Sequence, residues 1–388
     1  MAKRPIFEET AAPATAPAPR AGIEAPKGAR RAIQIWLGLL FVMVLAMITV
    51  GGMTRLTDSG LSITEWRPLS GALPPMSQAD WQSEFDLYQQ IDQFHLLNAD
   101  MTLGEFKRIY WWEWSHRQLG RAVGLVWAVG FLFFWATRRI PSGWTGRLIL
   151  PGALGGVQGA IGWWMVSSGI TQGDGVTSVA SYRLALHLGL AFVILGVIAW
   201  YTLLLGRPEA QLLQARRARE AKLFSMSTGL MHFAFLQILL GALVAGIDAG
   251  RGYTDWPLMA GGVFPPGMWD LTPVWRNLFE NDGTVQFIHR VSGYLVAIFG
   301  VVVWARGRRS AYGDTRKAFH MVLGALSLQI VLGIVTVMYG APLELGIAHQ
   351  LMAVLLWVLI IRARYLAQYP LGRTIRGPHE RFRQHRRA

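Results

Sequence analysis

Apolar residues along the chain gather into eight runs of about 20, the length that crosses a hydrocarbon core, near 32–50, 118–136, 148–167, 184–205, 224–247, 286–305, 318–338 and 345–364. Polar and turn-forming residues separate them. The pattern predicts an all-α polytopic membrane protein with eight transmembrane helices. Composition supports this: 52% of residues are hydrophobic, only 15% are charged, and the mean hydropathy is +0.32, outside the range of an ordinary soluble domain.

Charge fixes an expected orientation. Of 37 Lys and Arg, 27 fall in the segments 1–31, 137–147, 206–223, 305–318 and 362–388, which alternate with the other connections. The positive-inside rule then places both termini in the cytoplasm. Acidic residues show the opposite bias, with 9 of 23 in 51–117 and 5 in 248–285, the two long outer loops. The formal charge of +14 thus reflects topology. No nucleic-acid partner is expected, because the basic residues are spread over five short segments rather than one patch. Cysteine is absent, which excludes disulfides, thiolate haem ligation and iron–sulfur clusters. Residues 1–28 are rich in Ala and Pro and are expected to be disordered. The first apolar run is too long for a cleaved signal and lacks a small-x-small site after it.

The eight spans form two repeated four-helix bundles. Val50-Gly51-Gly52, Glu65-Trp66-Arg67-Pro68-Leu69 and Pro74-Pro75 match Val244-Ala245-Gly246, Asp255-Trp256-Pro257-Leu258 and Pro265-Pro266. His116-Arg117 with Gly120 matches His289-Arg290 with Gly293 after 173 residues, and Gln158-x-x-x-Gly162 matches Gln329-x-x-x-Gly333 after 171. An even number of spans per half returns the chain to the same side, so the repeats are parallel. The expected organisation is a cytoplasmic tail over 1–31, a first bundle over 32–205, a linker over 206–223, a second bundle over 224–365 and a basic tail over 366–388.

Four histidines, His116, His187, His289 and His349, open the four helices that run inward from the outer side. At about 1.5 Å rise per residue they share one level near the outer surface. Interfacial snorkelling accounts for one such ring. Four at one depth, matched between repeats, point instead to cofactor ligation, and bundle cores are where facing helices build such sites. A single zinc or copper ion would not draw ligands so evenly from two bundles, whereas haem accepts one histidine on each face. The pairs are His116 with His187 and His289 with His349. His232 lies at a different depth and is expected to be a packed or hydrogen-bonded core residue. His95, His320, His379 and His385 have no counterpart in the other repeat.

The halves differ just before their first histidine. Glu113 stands three residues ahead of His116, on the same helix face, where the second half has Gln286 ahead of His289. Helix-dipole stabilisation explains a first-turn carboxylate but not this contrast. The first site therefore has a titratable group for proton handling and the second does not. Arg117, Arg121 and Arg290 sit where haem propionates would meet water, and also where lipid headgroups would. Most of the 17 Trp are expected to be belt or packing residues. The glycines Gly152, Gly155, Gly156, Gly159 and Gly162 allow close packing within or between subunits, so a homo-oligomer is possible.

Taken together, Gly51-Gly52-Met53-Thr54-Arg55-Leu56-Thr57-Asp58-Ser59-Gly60-Leu61-Ser62, Glu65-Trp66, Pro74-Pro75, Phe106-Lys107-Arg108-Ile109-Tyr110, Glu113-Trp114-Ser115-His116-Arg117 and Phe287-Ile288-His289-Arg290 resemble the haem A synthases, in particular their mitochondrial and alphaproteobacterial branch. The resemblance covers roughly residues 32–365. It implies a bacterial inner-membrane enzyme that oxidises a methyl group of haem O to formyl, through hydroxylated intermediates, to make haem A for cytochrome c oxidase. It further implies that His116 and His187 flank the substrate haem, that His289 and His349 ligate a resident haem b, and that Glu113 is the essential acid. Haem O synthase and oxidase assembly factors are the implied partners, with the electron donor unspecified. Some bacterial members carry paired cysteines in the outer loops, and this chain has none. Two other classes fit the histidines alone: a non-catalytic di-haem cytochrome b, and a haem carrier.

Overall fold

The computed structural model describes residues 28–372. The expected disorder of residues 1–27, and His379 and His385 in the basic tail, lie outside the described residues. Among the described residues, eight helices are long and apolar enough to cross a membrane: α1 (Ala29–Leu56), α2 (Leu103–Ala136), α3 (Thr145–Val166), α4 (Ser181–Leu205), α5 (Ala221–Gly246), α6 (Asp282–Gly307), α7 (Gly313–Met338) and α8 (Leu343–Gln368). All eight expected spans are present, and most run a few residues beyond their apolar cores. The largest extension is in α2, which starts at Leu103 rather than near 118. A capping box explains it: Thr102 Oγ1 accepts from the Glu105 backbone N–H, and the Glu105 carboxylate accepts from the Thr102 N–H. Asn281 caps α6 by accepting from the Thr284 N–H at 3.0 Å. The connection over 206–223 contains a further short helix, Glu209–Arg217.

Helix contacts form two rings. In the first half α1 packs against α2 and α4, and α3 packs against both α2 and α4; in the second, α5 packs against α6 and α8, and α7 against both α6 and α8. The halves join through α4 with α5, α8 with α1, and α4 with α8. Exchanging the halves maps this set onto itself. Single side chains obey the same rule. A Cβ on Gly346 of α8 would meet Leu56 of α1 at 3.1 Å, and one on Gly246 of α5 would meet Leu184 of α4 at 3.4 Å. Leu56 corresponds to Gly246 and Leu184 to Gly346, so the leucine and the glycine have traded sides.

Buried aliphatic side chains from α1 and α4, including Ile33, Leu37, Leu40, Leu195 and Ile198, fill the inner part of the first half. Val303, Phe319, Val322 and Ile360 do so in the second. Outside the first half, the segment between α1 and α2 folds into a cap rather than a plain loop. Helices Gln78–Tyr88 and Asp92–Leu97 press Trp81, Phe85, Tyr88 and Phe94 against Phe106 and Tyr110 at the outer end of α2. Ring centroids of Trp81 and Tyr110 are 5.0 Å apart, and those of Phe85 and Phe106 5.1 Å. Such pairs contribute about 0.5–1.5 kcal/mol each beyond area burial.

Candidate functional site

One cavity of about 1080 Å³ runs between the halves, and all nine residues singled out from the sequence line it: Glu113, His116, Arg117, Arg121, His187, Gln286, His289, Arg290 and His349. The two histidine pairs therefore face a common space rather than two sealed ones. Most of the wall is apolar. Among the described residues, no group of three or more His, Asp or Glu side chains converges as a metal-ion site would require.

Each histidine ring lies over a glycine on the preceding helix. A Cβ on Gly51, Gly162, Gly241 or Gly333 would stand 2.9, 2.8, 3.0 or 2.9 Å from Cε1 of His116, His187, His289 or His349 respectively. No alanine fits these positions without moving the ring, so glycine sets how closely each imidazole backs onto its neighbour. The contacts also correct the repeat alignment. Gly51 corresponds to Gly241, not Ala245, because both support the first histidine of their half. This 190-residue spacing is the one that relates Glu65-Trp66 to Asp255-Trp256.

Four residues before the glycine, three of the four helices carry a glutamine. Gln158 Nε2 lies 3.2 Å from His187 Nδ1 and donates to the His187 carbonyl oxygen at 3.0 Å. Gln237 Nε2 lies 3.1 Å from His289 Nδ1 and donates to the His289 carbonyl oxygen at 3.0 Å. Gln329 Nε2 lies 3.2 Å from His349 Nε2. Gln237 escaped sequence reasoning because the misplaced alignment hid its Gln-x-x-x-Gly spacing.

Glu113 and Gln286 occupy matched positions with inverted hydrogen-bonding sense. The Glu113 carboxylate, 3% exposed, accepts from Ser62 Oγ and the Ile63 N–H, both at 2.8 Å, and from Arg117 Nη2 at 2.6 Å and Nε at 3.1 Å. Gln286 instead donates through Nε2 to the carbonyl oxygens of Ala249 at 2.8 Å and Tyr253 at 3.1 Å, and its Oε1 accepts from Arg290 at 3.0 Å. The arginines clamp the outer loops: Arg117 donates to Ile63 O and Glu65 O, Arg121 to Arg67 O and Pro68 O, and Arg290 to Tyr253 O, Asp255 O and Leu258 O. Each guanidinium thus has a protein partner. Among the arginines that line the cavity, three buried guanidinium nitrogens, Arg55 Nε, Arg121 Nη1 and Arg290 Nε, still lack one. An apolar cavity with paired imidazoles and unpartnered donors from its arginines fits a group with a flat apolar body and anionic edges, as haem has.

The halves differ along α3 and α7. At Gly155, Gly156 and Gly159 of α3, and at Gly124 of α2, a Cβ would meet nothing within 4 Å, so the expected close packing does not occur there within the chain. At the positions matching Gly155 and Gly159, α7 carries Leu326 and Ile330, and Leu326 packs against Gly300 of α6. In the first half the corresponding contact lies near the inner end, where Trp127 covers Gly152 and donates to Leu148 O at 2.9 Å. The first half is therefore open between α2 and α3, and the second is closed between α6 and α7. His232 corrects another expectation: it is exposed on the outer face of α5 rather than packed in a core, and its Nδ1 lies 2.9 Å from its own helix at Thr228 O. His320 of α7 accepts from Trp304 Nε1 at 3.0 Å.

Fold and site define the class: a helical, multi-pass membrane protein that presents four histidines, two from each half, to one cavity. The chain belongs to the cytochrome oxidase assembly protein family COX15-CtaA, whose model matches residues 34–361. It is 66% identical over 380 residues to the haem A synthase of Ruegeria sp. (strain TM1040), covering 97% of this chain and 100% of that one. It is 65% identical to the haem A synthase of Ruegeria pomeroyi and 63% identical to that of Paracoccus denitrificans, each over 97% of this chain and 99% of the relative.

Proposed function

We propose that this chain is a haem A synthase of a bacterial inner membrane, oxidising a methyl group of haem O to formyl to make haem A for cytochrome c oxidase. Relatives of that name matched over nearly the full length support the activity. The observation that carries the division of labour is the open, glycine-walled first half against the closed second half, whose matching positions hold Leu326 and Ile330. A lipid-borne substrate needs a side entrance and room, and a resident cofactor needs enclosure.

On this reading His116 and His187 flank the substrate haem in the first bundle (32–205), and His289 and His349 ligate a haem b in the second (224–365). The haems supply the redox chemistry when bound. The protein's own contribution is positioning. Arg55, Arg121 and Arg290 keep free guanidinium nitrogens for the anionic edges of the haems. Glu113 places a negative charge on the helix face of His116 and, through Ser62 and Ile63, holds the outer loop over the first site. Both termini lie in the cytoplasm and the sites lie toward the periplasmic side, in keeping with the distribution of Lys and Arg.

The test is to express the full chain in a membrane that contains haem O and to analyse the extracted haems. Hydroxylated and formyl haem are the expected products. Unchanged haem O would leave a di-haem electron carrier or a haem carrier in its place.

A further inference from the structure

Three of the four histidines are backed by a glutamine amide, and His116 is not. The position four residues before its glycine, matched by Gln158, Gln237 and Gln329, is Met47. The contacts show that Met47 stands where Gln237 stands. Met47 Cε comes 3.7 Å from a Cβ placed on Gly120, and Gln237 Nε2 comes 3.3 Å from one placed on Gly293, the matching glycine of α6. Both residues line the cavity.

The exchange has a definite physical consequence. At His187 and His289 the amide from the preceding helix donates to the carbonyl oxygen of the histidine and lies against its ring, tying side chain and backbone together. At His349 the amide of Gln329 meets the ring. A thioether has no hydrogen to donate, and its three rotatable bonds let it follow a neighbour rather than hold it. Among the described residues, no side chain is hydrogen-bonded to the His116 ring. Gly51 lies behind the ring, which lines the cavity.

We propose that Met47 makes His116 the one histidine of the four that can leave an iron reversibly, so that the first site opens a coordination position while the second stays closed on both faces. The proposal rests on the assignment of the histidine pairs to two haems. It adds which ligand yields, and names a positioning residue that acts through another side chain. The same contrast explains why the Gln-x-x-x-Gly pattern is kept on three helices and interrupted on one.

Carbon monoxide is the probe, because it binds ferrous haem only where a ligand has left. The full-length protein, supplied with excess haemin, freed of unbound haem and reduced, is compared with Met47→Gln, Met47→Leu and Gln237→Met. Met47→Gln is expected to lower the carbon-monoxide-binding fraction at least about fivefold, the equilibrium worth of one hydrogen bond, with haem content unchanged. Met47→Leu should behave like the parent, since the missing donor matters and not the sulfur. Gln237→Met should add a second carbon-monoxide-binding haem. Unchanged binding in Met47→Gln, or equal loss in Met47→Leu, overturns the proposal. Full haem content in both His116→Ala and His289→Ala would instead overturn the assignment of the pairs, so the two failures are distinguishable.

Discussion

Glu113 is surrounded by donors: Ser62 Oγ, the Ile63 N–H and the Arg117 guanidinium. Glu113→Gln would turn an amide N–H₂ toward at least one of them and leave Arg117 without its counter-charge. The expected cost is about 2 kcal/mol at the outer loop, with haem O oxidation falling sharply and, on the proposed assignment, haem b retained at His289. Glu113→Asp should recover part of the activity if the charge and its loop contacts are what matter. Haem analysis of membranes carrying each variant, together with hydrogen exchange over 62–65, checks both. The contrast with Gln286 was legible in the sequence because both residues precede a histidine by three. Their partners were not, since Ser62 and Ile63 lie some fifty positions away and only the folded loop delivers them. The arginines illustrate the same limit: their place near the outer ends was visible, but not the loop carbonyls to which each of them donates.

Among the elements, α3 carries the sharpest contrast. Gly155→Leu or Gly159→Leu places in the first half the bulk that Leu326 and Ile330 place in the second. Since nothing lies within 4 Å of either Cβ position, the helices should still assemble. On the proposed division of the two sites, the expected result is a protein of near-normal stability that retains haem b but loses most of its haem O oxidation, measured by product analysis alongside thermal unfolding. The glycines were conspicuous in the sequence, but whether they faced a helix or an opening depended on how far α2 and α3 diverge. Hydropathy revealed the eight spans because burial in lipid demands continuous apolar runs. It did not reveal the outer cap, whose short helices are held by a few aromatic contacts and by Asp92. Hydrogen bonds to the Asp92 carboxylate from the Gly173 N–H at 2.6 Å, then from Thr171 Oγ1 and the N–H groups of Asp174 and Gly175, hold its carboxyl below the usual carboxylate range. A depressed folded value means that the anchor contributes fully above the ordinary carboxylate pKa and is lost only as pH falls through the lower one. The 171–175 loop should therefore keep its hydrogen-exchange protection to below about pH 4, and Asp92→Asn should lack it at every pH.

At the scale of the molecule, the two halves touch through contacts that survive their exchange, and two glycines allow the approach, Gly346 against Leu56 and Gly246 against Ser181 and Leu184. Gly346→Phe should push α8 away from α1, at a cost of about 1–3 kcal/mol, and lower the melting temperature of the purified protein. The duplication itself was legible from motif spacing. The register of α5 was not, because Val-Gly-Gly and Val-Ala-Gly match by letter one turn away from where the histidine contacts place them. Between the halves lies the shared cavity of about 1080 Å³ with its mostly apolar wall. A hollow of that kind forgoes packing that a filled core would have, and whatever occupies it stabilises the fold by mass action, about 2.7 kcal/mol at a hundred times its dissociation constant. The abundance of this protein should then follow haem supply: cells starved of haem would lose it to proteolysis before its synthesis slows, and the capacity to make haem A would be trimmed to the haem available to convert.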